Sequence, residues 1–108
     1  MNPYALAVLG LVSCAVSAQE LSATRQAELT SLLYQDCGSC HGMTLQGGLG
    51  PALLPANLQH KPADFLTAVI LNGRPGTAMP PWRAFLTEQE AAWLAAYLKQ
   101  TERHHDTP

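Results

Sequence analysis

An all-α chain is predicted by three observations. Apolar residues recur at helical spacing in three separate segments, a Thr-x-x-Glu capping signature opens the last of them, and no alternating or β-branched run marks a strand. At 108 residues the chain holds one domain at most.

The first helix spans Ser22 to Asp36, where Leu29, Leu32 and Leu33 fall on one face, and it continues to Cys37. Gly42 to Gln59 contains Gly47, Gly48, Gly50, Pro51 and Pro55, which predicts an irregular loop. A second helix takes Pro62 in its first turn, carries Phe65, Leu66, Val69 and Ile70 on one face, and stops at Asn72-Gly73. Gly76-Thr77-Ala78-Met79-Pro80-Pro81-Trp82 is a second loop, because its prolines fix φ and prevent a regular helix or central strand. The third helix is the most clearly signalled: Thr87-Glu88-Gln89-Glu90 is a capping box, Trp93, Leu94, Tyr97 and Leu98 follow, and Lys99 and Arg103 lie toward its C-terminal end. From about residue 102 the sequence is a polar tail, in which His104 and His105 read as solvated residues of a frayed terminus.

Charge narrows the possible functions. Six Lys+Arg stand against eight Asp+Glu, the net charge is −2, and there is no basic run, so the footprint needed to bind a phosphate backbone is missing. Residues 1–19 carry no charge, and Tyr4 to Val12 is nearly unbroken apolar sequence. That run is shorter than the roughly 20 residues a membrane span needs. With Val16-Ser17-Ala18 ahead of Gln19-Glu20, it reads as a secretory signal over 1–18, cleaved after Ala18, although its start lacks Lys or Arg. The mature domain is then 19–108. A rival reading takes Leu11-Val12-Ser13-Cys14 as a lipobox, with Cys14 lipidated to form a lipid anchor.

Removing the leader leaves two cysteines, and both lie in Cys37-Gly38-Ser39-Cys40-His41. This is C-x-x-C-H, the attachment site of c-type haem: each thiol forms a thioether with a haem vinyl group, and the adjoining imidazole becomes the proximal iron ligand. A thioredoxin-like dithiol would need a surrounding βαβ pattern, which is missing. A zinc site would need a fourth ligand at finger-like spacing, whereas the next histidine, His60, is 19 residues past His41. Three helices and two long loops also leave little apolar matter for about 90 residues, and a mostly apolar macrocycle would complete the core.

The sixth iron ligand decides between electron carrier and open-site chemistry. Met43 is two residues past His41, and at no more than about 3.6 Å per residue it cannot reach the opposite haem face. Met79, 38 residues downstream in the stiff Pro-rich loop, is the candidate, with His60 as the alternative. A buried Met that merely fills a gap suits a helix better than such a loop.

The order helix, CGSCH, Gly-Pro loop, helix, AMPPW and aromatic C-terminal helix resembles a class I cytochrome c over essentially the whole mature chain. More narrowly, GGLGPALLP, ILNGRPGTAMPPW and EAAWLAAYL resemble the small periplasmic NirC-type cytochromes of denitrification gene clusters, associated with the haem-d1 nitrite reductase. The resemblance implies a class I cytochrome c fold of three main helices around one haem c. It makes Cys37 and Cys40 the thioether sites, His41 the proximal ligand and Met79 the distal one. It implies that the Pro51 carbonyl accepts from the His41 ring, which fixes the tautomer, and that Leu94 and Tyr97 pack near Leu29 and Leu33. Arg74 and Trp82 become candidate donors to the haem propionates.

The function that follows is single-electron transfer in the periplasm by a monomer, not catalysis. The redox partner is the nitrite reductase or a haem d1 maturation enzyme, the latter giving an accessory role as electron acceptor or binding partner in haem d1 biosynthesis. A gas sensor with a displaceable Met79 is a further reading. A peroxidase ranks last, since His60 is ill-placed as a distal acid–base residue.

Overall fold

The computed structural model describes residues 3–5, 7–14 and 20–100. The expected cleavage point after Ala18 and the polar tail with Arg103, His104 and His105 lie outside the described residues. Among the described residues all regular structure is helical, and no helix is long and apolar enough to cross a membrane.

The first predicted helix is present but not uniform. Helix α1 runs Ala23–Leu32, a π-helical turn covers Leu33–Cys37, and the short helix α2 follows at Gly38–His41. Leu33, Cys37 and Gly38 at the joints all keep right-handed helical dihedrals, so the three pieces form one continuous stretch. Ser22 caps its start, its hydroxyl accepting from the Arg25 amide at 3.1 Å, which satisfies one of the orphan donors of the first turn.

The loop expected over Gly42 to Gln59 is broken by a single helical turn, α3, at Pro55–Leu58. Pro55 sits in its first turn, where a missing N–H costs nothing because that position has no intrahelical acceptor. Helix α4 spans Ala63–Asn72, with Pro62 as its N-cap. It ends where expected, because Gly73 takes φ 66°, a conformation that glycine adopts without a Cβ clash. Helix α5 spans Glu88–Lys99 and opens with the complete reciprocal capping box between Thr87 and Glu90.

Helix α5 is the hub, packing against α1, α3 and α4. Its inner face is Ala91, Leu94, Ala95 and Leu98, all buried, at the i, i+3, i+4 and i+7 spacing of one helical face. Leu29 and Leu33 join them from the first stretch, Leu58 from α3, Leu66 and Leu71 from α4, and Leu45 and Leu86 from loops. Leu94 and Tyr97 thus belong with Leu29 and Leu33, and the Tyr97 hydroxyl lies 3.4 Å from that of Tyr34.

The expected inner face of α4 needs correction. Phe65 is 47% exposed and lies beneath the Lys61 ammonium, 5.7 Å from its ring centroid, while Leu71, absent from the predicted face, is buried. The apolar stripe on α4 is wider than the buried strip that α5 covers, and periodicity alone does not say which edge is covered.

Glu90 joins the capping box to a second contact. Its carboxylate accepts from the Thr87 amide at 3.0 Å and from Arg25 Nε of α1, and it is nearly buried. The Arg25 guanidinium and the Thr87 amide hold it below the usual carboxylate range, since hydrogen bonds and positive charge favour the ionised form. Lys99 Nζ donates to the Lys61 carbonyl, tying the end of α5 to the turn before α4.

Candidate functional site

Cys37 closes the π-helical turn, and Cys40 and His41 belong to α2. The two cysteines are three apart on a helical path, which places them on one face. Both are free thiols, Cys37 half-buried and Cys40 exposed. Burial, with a smaller contribution from the Asp36 charge, pushes the Cys37 thiol up to about 11. A redox dithiol works through a thiolate of lowered pKa, so this environment opposes the thioredoxin-like reading.

The Gly-Pro loop folds back onto the motif. The carbonyls of Cys40 and His41 end a helix and would otherwise lack partners; they accept from Gly50 N and Gly47 N, each at 2.8 Å. Leu45 N donates to Gly42 O, and Leu53 N to Leu45 O, which closes a compact loop. Leu45 adopts φ 62°, a left-handed conformation costing about 1–2 kcal/mol for a residue with a Cβ. Its side chain is 1% exposed, and full burial of a leucine contributes about 1.5–3 kcal/mol. Burial therefore offsets the strain and anchors the loop.

This loop seats the imidazole. His41 Nδ1 lies 2.7 Å from the Pro51 carbonyl oxygen. A carbonyl only accepts, so Nδ1 is the donor and Nε2 keeps its lone pair for a metal. The resemblance implies this contact, and it is present. Gly50 makes it possible: a Cβ there would stand 2.7 Å from His41 Cε1 and 2.8 Å from Nδ1. Sequence reading marks Gly50 only as a loop breaker; its place directly before Pro51 is the available signal.

Met79 is half-buried in a strap of residues 73–83 that leaves the end of α4 and returns to it. Arg74 N donates to Met79 O at 3.2 Å, and Trp82 N and Arg83 N donate to Ile70 O and Leu71 O, both at 3.1 Å. The Thr77 hydroxyl donates to Arg74 O at 2.6 Å and accepts from Met79 N at 3.3 Å. A Cβ on Gly73 would fall 2.6 Å from Met79 O, so glycine is required where the strap crosses itself.

The remaining candidates are placed as follows. Met43 is exposed and turns back toward Gly38, its sulfur 3.6 Å from where a Cβ on that glycine would lie. His60 and Arg74 are exposed. Trp82 is partly buried against the core and tilted on Phe85, with ring centroids 5.7 Å apart. Cys14 is exposed.

The donor set fits haem c. Two free thiols share a helical face, an imidazole has Nδ1 occupied and Nε2 available, a glycine keeps the imidazole seat open, and a thioether comes from a separate strap.

Comparison with known proteins gives four findings. The family profile described as cytochrome c oxidase, cbb3-type, subunit III matches residues 24–98. Cytochrome c55X of Paracoccus denitrificans (strain Pd 1222) is 49% identical over 102 residues, covering 94% of this chain and 98% of that protein. The solved c-type cytochrome NirC superposes with a TM-score of 0.71 at 54% identity, covering 73% of this chain and 93% of that one. Dihydro-heme d1 dehydrogenase of Pseudomonas aeruginosa (strain PAO1) is 45% identical over 71 residues, which are 65% of this chain and 14% of the enzyme.

Proposed function

The chain belongs to the class I c-type cytochromes, in the group of cytochrome c55X and NirC, and on that premise we propose that Cys37, Cys40, His41 and Met79 hold its haem. Membership makes it a haem c protein and an electron carrier of denitrification rather than an enzyme. Cys37 and Cys40 supply the thiols for two covalent thioethers, His41 Nε2 the proximal ligand and Met79 the distal ligand. When bound, haem c supplies a one-electron iron couple, and methionine–histidine ligation raises its potential.

The chain's own part is to keep that environment unchanged between oxidation states. The Pro51 carbonyl fixes the tautomer and orientation of His41, as partners of a ligating imidazole do. The strap fixes Met79 through its two ends. With His41 and Met79 both holding the group, the chain would leave no position for a substrate. The observation that carries this reading is the 2.7 Å contact from His41 Nδ1 to Pro51 O, which leaves Nε2 free on a ring that Gly50 gives room to.

We further propose that residues 1–18 are a secretory signal and that 19–108 form the mature periplasmic domain. The exposure of Tyr4, Val8, Leu9, Leu11 and Val12 supports this, because apolar side chains of a folded domain would be drawn into its core. The redox partner is the haem-d1 nitrite reductase. A second reading, electron exchange in haem d1 maturation, is favoured by one observation: dihydro-heme d1 dehydrogenase contains a segment of this sequence type.

The decisive test is the visible and near-infrared spectrum of the oxidised protein made with a cytochrome-maturation apparatus. A sulfur-to-iron charge-transfer band that disappears in Met79→Ala is the expected result. Mass spectrometry of the same sample should show the polypeptide plus one haem, with Gln19 as the N-terminus. A colourless product, or pigment extracted by acidified organic solvent, would overturn the assignment. Reoxidation of the reduced protein by nitrite reductase supports the first partner reading, and reduction of the oxidised protein by a haem d1 maturation enzyme supplied with its substrate supports the second.

A further inference from the structure

We propose that Arg83 is a positioning residue for the distal side, holding the Met79 strap shut across the adjoining ends of α4 and α5. The inference rests on the assignment of Met79 as distal ligand.

The strap's own bonds lie between Arg74 and Met79. Pro80 and Pro81, directly after Met79, have no N–H to donate. The return to α4 is carried by the Trp82 and Arg83 amides on Ile70 O and Leu71 O. Arg83 then adds the side-chain anchor. Its Nε and Nη2 both donate to Asn72 Oδ1, at 3.3 and 2.9 Å, and its Nη1 lies 3.6 Å from Glu88 Oε1. Asn72 is the last residue of α4 and Glu88 the first of α5, so one guanidinium spans the exit of one helix, the return of the strap and the start of the next.

The two halves of this contact differ in strength. The side chains of Arg83 and Glu88 are 53% and 82% exposed, and an ion pair so open to water contributes little. The double donation to Asn72 uses the rigid planar fork of arginine, which a lysine ammonium cannot reproduce. Asn72, not Glu88, is therefore the partner that matters.

An external base reaches the distal position only when the strap opens, so its apparent affinity scales with the open fraction. Imidazole is the probe: its nitrogen replaces the Met79 sulfur on the ferric iron, with no change of oxidation state, and the charge-transfer band is lost. Removing a hydrogen bond to a charged donor at a partly exposed site should raise the imidazole affinity of Arg83→Gln about 3- to 10-fold. Asn72→Ala should match it, and the double variant should not exceed either single, because both remove one contact. Arg83→Lys should recover part of the loss, and Glu88→Gln should stay within about 2-fold of wild type.

Thermal unfolding is recorded on the same samples. A merely structural arginine would lower the unfolding temperature and leave imidazole affinity unchanged in the folded protein. That result, or additive effects in the double variant, overturns the proposal. If wild type itself shows no charge-transfer band, the Met79 assignment falls first and the role of Arg83 falls with it. If the band is present in wild type and Arg83→Gln binds imidazole no more tightly, only the role of Arg83 is lost.

Discussion

The two sides of the site are built in opposite ways. The His41 side is local: the motif, its helix end and the Gly-Pro loop lie within residues 37–53, and the loop's amides terminate on the carbonyls of Cys40 and His41. The Met79 side is remote: its strap is pinned to the end of α4 by the Trp82 and Arg83 amides and the Arg83 side chain, and is held to itself by Thr77 and the crossing at Gly73. One proposed ligand is thus set by short-range geometry and the other by how two helices meet. A short closed loop resists opening, whereas a strap held at its ends opens at lower cost. For an electron carrier ligated as proposed, this division would keep the His41 side fixed and leave the Met79 side as the part that can yield.

The largest expected effect breaks the first half of that contrast. Gly50→Ala places a Cβ against the His41 ring at 2.7 Å, tighter than real contacts allow, so the imidazole must leave the Pro51 carbonyl. The yield of haem-loaded protein should fall severely, and what remains should lack a normal axial spectrum. A variant with wild-type yield and spectrum would show that the Pro51 contact does not orient the ring.

Leu71→Ala tests the support beneath the strap. Leu71 is 3% exposed, and truncating a buried leucine costs about 2–5 kcal/mol. Urea unfolding should register that loss, with the charge-transfer band of the proposed Met79 ligation failing at lower urea than the His41 side. If both sides fail together at every urea concentration, the strap has no separate weakness.

A smaller effect concerns pH. Glu90 is held below its ordinary value of about 4.5, so its contribution is complete above that pH and is lost as pH falls through its folded value. Stability should therefore decline below about pH 4.5, and Glu90→Gln should flatten that part of the curve while leaving the band at neutral pH in place. An unchanged acid slope in the variant would assign the decline to other carboxylates.

The smallest change is Thr77→Ala. It removes the hydroxyl between Arg74 O and Met79 N, an exposed pair of contacts worth about 0.5–1.5 kcal/mol. Amide exchange should quicken at Met79 and stay unaltered at Gly47 and Gly50. Equal acceleration on both sides would erase the contrast.

The features legible in the amino-acid order obey short-range rules. The capping box at Thr87 and Glu90, the stop at Gly73, the helix leading to Cys37 and the C-x-x-C-H motif are each fixed by neighbours within a few residues. The features that escape such a reading depend on distant partners or carry no local mark. Phe65 and Leu71 exchange places between core and surface according to where α5 lies. The π-helical turn at Leu33–Cys37 has no composition signal. The single turn Pro55–Leu58 is hidden among loop residues that favour turns. Arg25 and Glu90 are 65 residues apart, and nothing in either segment announces the other.

By itself the sequence determined the helical class and supplied the proposed attachment chemistry and candidate ligands, because thiol spacing, a following imidazole and 3.6-residue periodicity are properties of a local chain. The tertiary structure alone decided which way His41 presents its nitrogens, which side of α4 is covered, and what secures the strap bearing Met79. Those outcomes depend on atoms that meet only after packing, such as the Pro51 carbonyl at His41 or Asn72 at Arg83, and a linear pattern carries no distance between them.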